Sequence, residues 1–176
     1  VSHTPPSEAE ASVAGWFHDT TSVAPFYGGE EGVRDRLERA GAAAAKFAAT
    51  GELSLVPAYA PQDDRAGMSM EMGYYSSPDR GNVPQWRNEM SELSLAHWLQ
   101  FDGLSPAARV RTPSLFVHSD DAVLPDNVRA VAEQLGDLAT VVWTEGEQTD
   151  FYDRPAQVDA AVAAAVEHFD RMGARS

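Results

Sequence analysis

The chain has 176 residues, 43% of them hydrophobic, enough for one domain with a buried core. Acidic residues outnumber basic ones 27 to 13, a formal charge of −14, which excludes nucleic acid or an anionic membrane as an electrostatic match. Cysteine is absent, so disulfides, thiolate zinc sites and thiol nucleophiles are excluded too.

Residues 1–10, "VSHTPPSEAE", read as a disordered tail without the basic and apolar regions of a signal peptide. Ala11–Phe17, "ASVAGWF", is an apolar run ending at His18-Asp19 and reads as a buried strand. Val33, Leu37, Ala40, Ala44 and Phe47 then recur at helical spacing, with Gly51 placed to end the helix. Lys46 interrupts the alanine block, and no run approaches the roughly 18 apolar residues of a membrane span, so a cytoplasmic protein is the expectation. From Leu53 to Gly81, prolines and paired acids reduce the pattern to short helices and loops. Trp86, Met90, Leu93, His97 and Phe101 restore a helical period, with His97 packed on the apolar face.

The last third alternates strand and helix. "TPSLFVHS" reads as a strand after Pro113, and "PDNVRAVAEQLG" as a helix capped by Asp126 and stopped by Gly136. "ATVVWT" is a second strand. The closing helix spans 154–170, with Asp153 near its cap, Pro155 in its first turn, and Val158, Val162, Val166 and Phe169 on one face. Crossovers of this length join parallel neighbours, so the expected fold class is α/β, a parallel sheet covered by helices. Strands near Ser12–Trp16, Leu115–His118 and Thr140–Trp143 are expected side by side, within one domain over 11–176.

Parallel sheets gather functional residues at the carboxyl ends of their strands, which directs attention to "HSDDAVLP" and "EGEQTDFYD". With "GWFHD", "FYGGEEG" and "YYSSPDRGNVPQWRNEM" before them, these loops resemble the C-terminal part of an α/β-hydrolase, in the branch of dienelactone hydrolases and small esterases. The resemblance covers most of residues 11–170 and only the second half of that fold. It implies a partial helical cap formed by 30–102 and an ancestral hydrolysis of a small ester, lactone or related acyl substrate. It also implies Asp121 as the triad acid, with Asp120 the alternative, and it sets the usual histidine position on Gln148.

Glutamine cannot replace that histidine: its amide has no useful basicity near neutral pH, although it keeps hydrogen-bonding capacity. The nucleophile is missing as well. "GMSME" around Ser69 lacks the second glycine of a G-x-S-x-G elbow and follows polar sequence, and "EASVA" around Ser12 is further from the pattern. By the resemblance, the serine half lies upstream, so no turnover is expected of this chain alone. His3, His18, His118 and His168 (the last near solvent on the final helix) do not occupy the vacant place in sequence. No cofactor is implied, and the carboxylates of "HSDD" and "TDFYD" match no metal-ligand spacing.

Three function classes follow. The chain is half of a hydrolase completed by a separate polypeptide; or a non-catalytic binding or scaffolding relative that uses the old cleft for a small molecule; or an enzyme that works without a triad, through Asp121, Asp150 or Tyr152. A sheet lacking its first strands implies self-association or a partner that supplies them.

Overall fold

A computed structural model describes residues 23–174. The strand read at Ala11–Phe17, together with His3 and His18, lies outside them. The chain divides into two compact units, one comprising the residues up to Glu71 and Pro84–Asp102, the other Met72–Val83 and the residues from Gly103 onward. Most of the 30–102 stretch falls in the first unit, while 72–83 goes with the second.

In the first unit a 3-10 turn, Ala24–Tyr27, leads through Gly28 into helix α1, Gly29–Thr50. Val33, Leu37 and Ala40 on one face of α1 are fully buried and form the core with Ala24, Tyr27, Leu95 and Leu99. The stripe expected to continue through Ala44 and Phe47 stops at Ala43. Both later residues are exposed, because the last turns of α1 run past the core. Gly51 ends the helix as expected, with φ of 74° and its N–H donated to Phe47 O at 2.8 Å.

Strand β1, Leu55–Val56, pairs antiparallel with β2, Met90–Ser91, and helix α2 follows at Ser94–Leu99. The helix expected from Trp86 to Phe101 is therefore confined to its last third. Met90 and Ser91 are held extended by β1, and buried Glu92 is pinned by Arg39 at 3.1 Å and Arg65 at 3.4 Å. The buried pair of α2 is Leu95 and Leu99, one helical turn apart, and His97, expected to be packed, is exposed.

In the second unit a single helical turn at Gly73–Ser76 precedes strand β3, Ser114–Ser119. Helix α3, Pro125–Leu135, returns the chain to strand β4, Ala139–Thr144, and helix α4, Pro155–Gly173, closes the unit. β3 and β4 pair in parallel from Ser114↔Ala139 to Ser119↔Thr144, as their connection requires. α3 packs on both strands and α4 packs on β3. The chain is thus mixed α/β with a small parallel sheet.

Two local expectations are corrected here. Asp126 does not cap α3: the cap position is Leu124, in the left-handed region at φ of 54°, while Asp126 sits in the first turn and pairs with Arg129 at 3.0 Å. Asp153 lies next to the cap position of α4, Arg154, as expected, and Arg80 engages its carboxylate. The face of α4 turned inward is the small one, Ala161, Ala164 and Ala165, together with His168. Val162, Val166 and Phe169 consequently point outward, Phe169 with 72% of its surface exposed, and His168 is buried instead of solvated. Among the described residues no helix is long and apolar enough to cross a membrane.

Candidate active site

The register Ser119↔Thr144 brings the loops after β3 and β4 out at one edge of the sheet. Two hydrogen bonds tie them together. The buried Ser119 hydroxyl donates to Gly146 O, and the Val123 N–H donates to Gln148 Oε1 at 3.3 Å. Gly146 has φ of 115°, and a Cβ there would come within 2.9 Å of the Gln157 side chain, so this bend requires glycine. Gln157 in turn donates to Glu145 O at 3.2 Å and anchors the loop to the start of α4.

The carry-over from the family expects Asp121 and Gln148 to face each other. Their loops do leave the same edge, but Gln148 reaches the backbone of Val123, and the Asp121 carboxylate is exposed to solvent. The neighbouring Asp120 is the engaged acid. It pairs with Arg129 and accepts the Trp143 indole N–H at 2.9 Å, which holds its pKa below the usual carboxylate range. Arg129 lies 4.3 Å above the Trp143 ring, and His118 tilts against the same ring at 5.5 Å.

Arg80 is the site residue that sequence reasoning missed. Its guanidinium grips Asp153 through two bonds, Nε to Oδ2 at 2.9 Å and Nη2 to Oδ1 at 2.6 Å. Nη2 also donates to Asp150 Oδ1 at 3.3 Å and to Thr149 O at 3.1 Å, so one side chain holds the end of the second loop, 149–153. The Arg80 pairing holds the Asp153 carboxyl below its ordinary pKa. Tyr74 lies 5.3 Å from the Arg80 guanidinium and meets Tyr152 edge-on at 5.3 Å and Tyr75 at 5.1 Å. Burial, then the neighbouring Tyr152, pushes the Tyr75 phenol up. The segment "YYSSPDRG" contributed to the family resemblance, yet nothing in it pointed Arg80 at Asp153, 73 residues on.

The histidine position of the family carries no base here. Gln148 has no basic atom, and the Ser119 hydroxyl is committed to a carbonyl. Thr149 is buried with Oγ1 unpartnered. His168 sits near the far end of α4, which starts beside the loop at Pro155 and runs back along the sheet, so it cannot stand in for the missing base. Ser69 belongs to the first unit, where its hydroxyl accepts from Arg36 Nη2 at 3.4 Å. Among the described residues no group of three His, Cys, Asp or Glu is disposed to hold a metal ion. Exposed at this edge are the Asp121 and Glu147 carboxylates and the half-exposed Tyr152 side chain, with the Gln148 amide partly buried between them in sequence. No protein-family model matches the chain, and no curated protein matches it significantly.

Proposed function

We propose that the chain is the C-terminal part of an α/β-hydrolase-like protein of the dienelactone hydrolase and small-esterase branch. Its ancestral chemistry is the hydrolysis of a small ester, lactone or related acyl substrate, and this chain alone does not perform it. The observation that carries the reading is the tie between the two loops at the carboxyl edge, with Gln148 Oε1 accepting the Val123 N–H. A glutamine at that place keeps the loop geometry of a histidine site while removing its base. Asp121 is the acid position of the same reading, and 30–102 is the counterpart of the family's cap.

The same bond favours a second reading, in which the protein is a non-catalytic binding relative. With Oε1 engaged, the Gln148 amide N–H groups are left to donate to a ligand carbonyl, and the former cleft serves a small molecule. Half-exposed residues along both strands support a partner polypeptide, or a second copy, that supplies further strands.

Assays with p-nitrophenyl esters and a simple lactone, combined with fluorophosphonate labelling, test the proposal. Wild type and Gln148→His should both show neither turnover nor label, since a restored base has no nucleophile to activate. Ester turnover by the wild-type chain that Gln148→Ala or Asp121→Asn abolishes would overturn it.

A further inference from the structure

The first unit holds a buried cation that the hydrolase reading does not use. Arg36, on the second turn of α1, is 4% exposed and forms no ion pair among the described residues. Its neighbours behave differently: Arg39 and Arg65 both close on Glu92. The Arg36 guanidinium runs back toward the helix start, where Nη1 donates to Gly32 O at 3.2 Å and to Tyr27 O at 3.5 Å. It lies 4.8 Å from the Tyr27 ring centre. Nη2 has a single long bond, 3.4 Å, to Ser69 Oγ, and Nε has no partner. Gly32 makes this approach possible, because a Cβ there would fall 1.8 Å from Tyr27 O.

A buried guanidinium with no carboxylate in direct contact is costly, and Asp64 and Asp35 reach Arg36 only through weaker, longer-range attraction. Burial, then the neighbouring Arg39 that also lines the cavity, lowers the Arg36 pKa against the opposing pull of Tyr27, Asp64 and Asp35. Holding up two carbonyls accounts for Nη1 and leaves Nη2 and Nε under-used. The residue lines a cavity of about 380 Å³ at the start of α1, whose cap residue is Gly28, so no side chain occupies the place where a capping oxygen would sit. Three carboxylates, Glu31, Asp35 and Asp64, line the same cavity and are exposed.

That charge arrangement selects the ligand. A phosphate or sulfate dianion would meet three carboxylates against one unpaired guanidinium, and a simple cation would meet Arg36. A molecule carrying one charge of each sign a few ångströms apart satisfies both. Phe26 and Tyr27 also wall a second cavity, of about 190 Å³, with Met68, Met90, Leu95 and Trp98, which favours an apolar substituent. We propose that this pocket binds a small zwitterion of the amino-acid type with an apolar side chain, its carboxylate at Arg36 and its ammonium among Glu31, Asp35 and Asp64.

Calorimetric titration of the full chain decides it, with L-leucine, L-phenylalanine, L-leucine methyl ester, 4-methylpentanoate and inorganic phosphate as probes. The free amino acids should bind, and the ester and the deaminated acid should each bind about tenfold more weakly, the loss of one charge contact. Asp64→Asn and Asp35→Asn, at exposed positions, should weaken leucine several-fold and leave 4-methylpentanoate unchanged or tighter. Arg36→Met should abolish binding. If that variant fails to fold, the two aspartate variants carry the test. Equal binding of leucine, 4-methylpentanoate and phosphate would mean a plain anion site and overturn the proposal, as would absence of amino-acid binding at millimolar concentration.

Discussion

The two units bury different kinds of residue. In the first, the fully enclosed side chains are Val33, Leu37, Leu95 and Leu99, an aliphatic cluster around one face of α1. In the second, the most enclosed large side chains are Ser119 and Thr149, both at the edge where the loops emerge, while β3 and β4 remain half-exposed and Val141 is 42% exposed. Parallel strands are ordinarily buried on both faces and read as continuous apolar runs. "SLFVHS" and "ATVVWT" have that composition without that burial. The first unit therefore derives its stability from a core, whereas the second is organised around hydrogen bonds and ion pairs at the edge where its loops emerge.

Substitutions can break or sharpen this contrast. The largest effect is expected at Leu37. Leu37→Ala should cost about 3 kcal/mol in denaturant unfolding, against about 1 kcal/mol for Val142→Ala in the half-open sheet. Equal losses would mean that the sheet is as well covered as the core. Next, Ser119→Ala removes the bond to Gly146 O and should cost about 1 kcal/mol, accompanied by faster amide exchange over residues 145–150 and none over α1.

Acid should then distinguish the units. Arg80 depresses the folded-state pKa of Asp153, so the stability from this pair is fully present above the unfolded carboxylate pKa of about 3.9 and is lost as pH falls through the lower folded value. Acidification below about pH 4 should loosen residues 149–153 before α1, and Arg80→Met should remove that pH dependence. Far-ultraviolet and tyrosine signals followed together would show it, because Tyr74, Tyr75 and Tyr152 report the clamp. The smallest effect is expected on the outer ridge of α4. Phe169→Ser should change stability by less than about 0.5 kcal/mol if the exposed ridge is free in solution. A larger loss that grows with protein concentration would instead show that the ridge is covered by a second copy.

The elements that were legible in the sequence are those whose cause is local. α1, β3, α3, β4 and α4 each follow from a period, an apolar run, a terminal glycine or an N-terminal proline, and the parallel pairing follows from the crossover. The failures were cases of a local signal overruled from a distance. Asp126 reads as a cap but pairs with Arg129 instead, and Arg80 lies too far from Asp153 along the chain for any spacing rule to link them. The period through Trp86, Met90, Leu93, His97 and Phe101 is genuine as arithmetic. It fails because β1 holds Met90 extended and two arginines fix Glu92. On α4 the valines looked like the buried face, yet close packing on β3 selected the alanines. At the candidate site, Gln148 was found from its position and its bond to the loop of Asp121 was not, since a side chain's choice of backbone N–H leaves no trace in composition.

The bridge from Arg80 to Asp153 also has a consequence for biosynthesis. At about 5–20 residues per second, an interval of 73 residues means that Arg80 is added to the chain roughly 4–15 s before its acid partner. During that wait the residues of the first unit after the bridge, Pro84–Asp102, are already synthesised and free to join α1. The segment carrying Tyr74, Tyr75 and Arg80 still lacks Tyr152 and Asp153, the ring and the acid that hold it, even after β3 and β4 of its own unit are made. A nascent chain stalled short of Asp153 should thus expose these tyrosines to protease while α1 is already protected.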